Sequence, residues 1–111
     1  MRPNMSNLDF TICCTVTFFS KKRRTPPSLN NGKYCPHLVI KDSERLLGVN
    51  FIDGEDGIFD KSIRANALPV NKDIDYSALQ VGTEFLIMEG GNIVGEGIVK
   101  EIFQHKPHGR K

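Results

Sequence analysis

Residues 82–103, Gly-Thr-Glu-Phe-Leu-Ile-Met-Glu-Gly-Gly-Asn-Ile-Val-Gly-Glu-Gly-Ile-Val-Lys-Glu-Ile-Phe, constrain this chain more than any other stretch. Two apolar runs, 85–88 and 93–103, flank Glu89-Gly90-Gly91-Asn92. Glycine and asparagine reach positive φ at low cost, and a two-residue hairpin loop requires that. The pattern predicts two antiparallel strands joined by a tight turn. Gly95 and Gly97 lie two apart, so they share a face of the second strand and mark a bend or the close approach of another backbone.

The rest of the chain follows the same period. Residues 9–20 alternate, with Phe10, Ile12, Cys14, Val16 and Phe18 on one face and Thr11, Cys13, Thr15, Thr17 and Phe19 on the other. Period two with β-branched and aromatic residues is the mark of a half-buried strand. Further strands are expected at 37–41, 46–52 and 63–70, the last broken at Pro69. Turns are expected at Asn30-Asn31-Gly32, at Asp42-Ser43-Glu44-Arg45 and at Asp53-Gly54-Glu55-Asp56-Gly57. A single helical turn is expected near 76–79. No segment has the length and period of a full helix, so the expected class is an all-β barrel or sandwich.

A chain of 111 residues fits one domain and needs no staple to fold. The expected division is a flexible N-terminus over 1–8, one β-barrel domain over 9–104 and a basic tail over 105–111. No apolar run approaches the ~20 residues that cross a bilayer, and the N-terminus lacks the apolar core of a secretory leader, so a cytoplasmic, non-membrane protein is expected. The cysteines Cys13, Cys14 and Cys35 have neither disulfide-framework nor zinc spacing. Charge is uneven: residues 1–50 carry eight Lys and Arg against three Asp and Glu, and residues 51–104 carry four against ten. A basic half suits phosphate; an acidic half suits solvent or a basic protein surface.

Lys21, Lys22, Arg23 and Arg24 form the one basic run, placed where the first strand ends. Such a run grips phosphates by counterion release, or it serves only to keep a strand end solvated. The nearest aromatics, Phe18, Phe19 and Tyr34, are able to stack on bases, although Phe18 and Phe19 read better as core or barrel-rim residues. Asp53, Glu55, Asp56 and Asp60 lack the spacing of a calcium loop. His37, His105 and His108 have no partner in sequence that would make a catalytic pair. No Gly-x-x-x-x-Gly-Lys-[Ser/Thr] loop occurs, so no nucleoside triphosphate is expected, and no other cofactor.

Three blocks, Arg24-Thr25-Pro26, Tyr34-x-Pro36 and Glu89-Gly90-Gly91-x-x-Val94-Gly95-x-Gly97-x-Val99, together resemble the C-terminal, third domain of elongation factor Tu. The order and approximate spacing hold over about 10–103. The resemblance implies a six-stranded antiparallel Greek-key barrel that touches the T-stem backbone of aminoacyl-tRNA. Glu89 and Gly90 match the family's Glu-Gly pair, Lys41 an arginine of the second strand, and His37 a glutamine. Cys35, Met88 and Asn92 stand where the family has arginines.

The combined expectation is a non-enzymatic binding module that contacts tRNA-like RNA or a translation-related protein. Its contact residues would be Lys21, Lys22, Arg23, Arg24, His37, Lys41, Glu89 and Gly90. The alternative is a protein-binding or homo-oligomerising module without RNA.

Overall fold

The computed structural model describes residues 10–55 and 58–105. The expected N-terminal segment over 1–8, and the expected tail beyond His105, lie outside the described residues. Six strands form: β1 (Phe10–Phe18), β2 (His37–Ile40), β3 (Leu47–Gly54), β4 (Ile63–Pro69), β5 (Glu84–Glu89) and β6 (Asn92–Gln104). Every pairing is antiparallel, and the order β1-β4-β3-β2-β5-β6 closes on itself. Strands β2, β3 and β4 are consecutive neighbours and β5 returns beside β2, which is a Greek-key connection. The expected six-stranded antiparallel barrel is the observed fold. No helix of the described residues is long and apolar enough to cross a membrane.

The alternation of β1 sets the core. Phe10, Ile12, Cys14, Val16 and Phe18 are all buried, and they meet Phe51, Phe85, Ile87 and Val99 from the other strands. Burying one such side chain contributes about 1.5–3 kcal/mol. The third strand runs further than expected and takes in Asp53 and Gly54. A register shift between Phe51 and Asp53 makes this extension a bulge at Ile52, which turns that side chain to solvent. Pro69 ends β4 rather than interrupting it.

The 13-residue β6 wraps across both β5 and β1. Register shifts opposite Ile87/Met88 and opposite Cys13/Cys14 coil it around the barrel. Gly97 lies between Val16 and Phe85, and a Cβ there would stand 2.5 Å from the Thr15 carbonyl oxygen and 2.6 Å from Phe85 Cζ. At Gly95 a Cβ would stand 2.6 Å from the Thr17 carbonyl oxygen. The two glycines therefore give room for the Phe85 ring and for the backbone of β1 to close the barrel.

Closure sorts the connections into two ends. Loop 19–36, segment 58–62 and loop 90–91 share one end, and loops 41–46 and 70–83 share the other. At the second end Tyr76 plugs the barrel, 3% exposed, its ring edge-on to Phe10 at 6.2 Å. Its hydroxyl donates to the Gly48 carbonyl oxygen at 2.5 Å and accepts from the Asn71 N–H at 3.1 Å. The expected helical turn over 76–79 is one hydrogen-bonded turn, Leu79 N–H to Tyr76 O at 2.9 Å.

Candidate nucleic-acid interface

The basic run sits at the first end, and the backbone of its first two residues belongs to the turn that leaves β1. The Phe19 N–H bonds the Val94 carbonyl oxygen at 2.9 Å, and the Lys22 N–H folds back on the Phe19 oxygen at 3.1 Å. Residues 19–22 therefore leave β1 as a tight turn. Asp60 braces it from the neighbouring loop: its N–H donates to the Phe18 oxygen at 2.7 Å, and its carboxylate accepts from the Ser20 N–H at 3.2 Å. Gly90 is beside this turn, because Phe18 pairs with Gly95 and the 90–91 loop caps the same hairpin. Its φ of +61° is in the first loop position, where a type II′ hairpin places glycine.

The four basic residues divide sharply. Lys21, Lys22 and Arg24 are exposed and make no ion pair among the described residues. Arg23 turns inward instead. Its Nε lies 2.8 Å from Glu89 Oε2, another of its nitrogens donates to the Thr25 carbonyl oxygen, and its guanidinium lies 5.5 Å from the centre of the Tyr34 ring. The Tyr34 hydroxyl donates to the same Glu89 oxygen at 2.5 Å. The Tyr34 ring stacks on Phe51 at 5.7 Å and meets Phe18 edge-on at 5.9 Å. Burial, then the hydrogen bond to the Glu89 carboxylate, hold the Tyr34 phenol well above its usual pKa.

These contacts revise three expected roles. One carboxylate oxygen of Glu89 is taken by Arg23 and Tyr34, so this residue, expected to contact RNA, is engaged within the protein. Tyr34 is enclosed by Phe18, Phe51 and Arg23 and offers no free face for a base. Arg23 is neutralised, leaving three of the four run residues for phosphate.

His37 and Lys41 lie off this end. His37 opens β2, pairs with Met88 and Gly48, and is exposed on the barrel flank just below the hairpin turn. Its ring and the Val70 side chain occupy the space above Gly48, where a Cβ would stand 3.7 Å and 3.3 Å from them. Lys41 follows the far end of β2, roughly 13 Å along the strand direction from His37. Its Nζ pairs with Glu84 Oε1 at 2.9 Å, and that hydrogen bond raises the ammonium pKa. Lys41 therefore is not part of the cluster formed by the basic run and Glu89-Gly90.

Two cations that sequence reasoning did not assign join that end. Lys33 lies in the same loop, its N–H bonded to Asn31 Oδ1 at 2.9 Å. Lys61 follows Asp60, whose carboxylate braces Ser20. Both are exposed. Nothing local marks them; only the approach of segment 58–62 to the end of β1 brings Lys61 near.

Two grooves lie on other parts of the barrel. A groove of about 550 Å³ on the flank includes Asp53, Glu55, Glu101, Arg64 and Cys13 in its lining. A second, of about 410 Å³, lies against Tyr76, Phe10, Leu79 and Ile102 at the plugged end. Burial, followed by repulsion from Cys13, pushes the Cys14 thiol up to about 12. No group of three or more His, Cys, Asp or Glu side chains arranged to hold a metal occurs among the described residues. The first end presents the exposed cations Lys21, Lys22, Arg24, Lys33 and Lys61. No protein-family model and no curated protein matches the chain.

Proposed function

We propose that this chain is a non-enzymatic binding module, an elongation factor Tu-like barrel whose open end engages RNA through its phosphates. The observation that carries the reading is the exposed group Lys21, Lys22 and Arg24, without ion pairs among the described residues, the first two on a backbone turn fixed from two sides and Arg24 two residues beyond it. Cations on a held backbone and without carboxylate partners among the described residues offer phosphates a charged site. Lys33 and Lys61 extend the charge around the same end. The barrel fold, Greek-key order and Glu89-Gly90 turn agree with the family resemblance, and the translation apparatus is the setting that resemblance suggests. Three free cysteines suit a reducing compartment, and we assign the protein to the cytoplasm.

Titration with unfractionated tRNA at two salt concentrations tests the reading. Three neutralised phosphates predict affinity falling roughly fortyfold between 50 and 200 mM salt. Binding that keeps its strength across that range would falsify the phosphate role.

One observation favours a second reading, a protein-binding or self-associating module. Ile93, Met88, His37 and Gly48 are successive cross-strand partners on the flank, and Val70 bonds Gly48 next to them. Val70 is 51% exposed and Ile93 37%. Recovery of a partner from lysate that survives nuclease treatment, with no tRNA binding, selects that reading.

A further inference from the structure

The contacts of Arg23, Tyr34 and Glu89 have a consequence for the basic turn they flank. Arg23 sits between Lys22 and Arg24 in the chain, yet its surroundings are opposite to theirs. One nitrogen faces Glu89, another faces a backbone oxygen two residues on, and the flat face lies on Tyr34. Glu89 receives two donors on a single carboxylate oxygen. Tyr34 is fixed in turn by Phe51 and Phe18, which belong to the core. A continuous series of contacts therefore leads from the packed interior to the middle residue of the basic run.

We infer that Arg23, Tyr34 and Glu89 form a fastener that positions Lys22 and Arg24 for phosphate without touching it. The inference rests on the RNA-binding reading above. Arg23 and Glu89 are positioning residues, and their mutual neutralisation is the means: a guanidinium held internally turns its two neighbours outward. A charge-only view makes the opposite prediction. There Glu89 is an anion beside a cationic surface, and its removal should strengthen attraction for a polyanion. The two views differ in the sign of one variant's effect.

The test uses the full chain, unfractionated tRNA at 50 mM salt, and three variants checked for folding by far-ultraviolet circular dichroism. Tyr34→Phe keeps the ring and the charge and removes the hydroxyl donor. It is expected to weaken tRNA binding about three- to tenfold, the scale of freeing one or two ordered side chains. Its slope of log affinity against log salt should match the parent, since no phosphate contact is removed. Glu89→Gln is expected to weaken binding to a similar degree although the net charge rises by one. The third variant, Lys21→Ala with Lys22→Ala and Arg24→Ala, removes the cations and flattens the slope. If the triple variant binds like the parent, the RNA reading fails. If it loses binding while Tyr34→Phe keeps it, or while Glu89→Gln binds more tightly, the fastener alone fails. Amide exchange in the free protein gives an independent reading: Tyr34→Phe should speed exchange at Lys22 about tenfold, and unchanged exchange there overturns the fastener.

Discussion

Each end of the barrel is held by one tyrosine, and the two tyrosines are held differently. Tyr76 is 3% exposed, donates to the neutral carbonyl of Gly48 and lies edge-on to Phe10. Tyr34 is half-buried, donates to the Glu89 carboxylate and carries the Arg23 guanidinium over its ring. The plugged end is closed by apolar contact and uncharged hydrogen bonds, which salt scarcely affects. The other end combines apolar contact, Tyr34 on Phe51 and Phe18 and the buried Leu29, with the Arg23–Glu89 ion pair in partial contact with water, and is ringed by exposed cations. The end that carries the ion pair is the one suited to meeting a charged partner; the plugged end serves stability.

The comparison breaks most easily at the plug. Tyr76→Ala should lower stability by about 3–5 kcal/mol, the range for deleting a buried aromatic, and Tyr34→Ala by clearly less, because part of its surface already meets solvent. Chemical denaturation of the two variants measures the difference. Equal losses would contradict the division of labour.

Alkali tests the open end next. The Tyr34 phenol titrates above its usual value when folded, so the unfolded chain loses that proton first. Its contribution is fully present below about pH 10 and declines above it, by up to about 1.4 kcal/mol per pH unit. Cys14, pushed up to about 12 by burial, adds a decline of the same sign that begins near pH 9. Tyr34→Phe should remove the first part and leave the second. A stability profile flat from pH 8 to 11 would contradict both.

Hydroxyl deletions sharpen the contrast at smaller scale. Tyr76→Phe leaves the Asn71 N–H without its partner and the Gly48 oxygen with the Val70 N–H alone, and should cost about 1–3 kcal/mol, equally at low and high salt. Glu89→Gln should cost about 1 kcal/mol or less at low salt, and the cost should shrink in 1 M salt, where screening acts within about 3 Å. Denaturation curves at both salt levels decide it. Lys22→Ala, at an exposed residue with no ion pair, should change stability by less than about 0.5 kcal/mol.

Much of the barrel was legible in the chain because its signals are local. The Gly90-Gly91 loop, the alternation of β1 and the spacing of Gly95 and Gly97 each express a backbone requirement that neighbouring residues reveal. The plug was not legible, since Tyr76 is placed by Gly48 and Phe10, distant in sequence, and residues 70–81 carry no period. The bulges in β3 and β6 follow from barrel curvature, which no short window encodes. At the candidate site the basic run and the Glu89-Gly90 turn were visible, but the run read as four equal cations. The separation of Arg23 from its neighbours depends on a carboxylate 66 residues away. Lys61 became a neighbour only through the Asp60 contact with Ser20. Lys41 looked like part of the set because strand length does not show which end of a barrel a residue reaches.

The central claim is that one end of this barrel, and not the other, meets RNA. Nitrogen-15 backbone spectra recorded during addition of unfractionated tRNA at 50 mM salt test it directly. The account predicts shifts concentrated at residues 20–24, Lys33, Lys61 and Gly90, with residues 71–81 unchanged. Shifts centred on the Tyr76 end, or a spectrum that tRNA leaves unaltered, would contradict it.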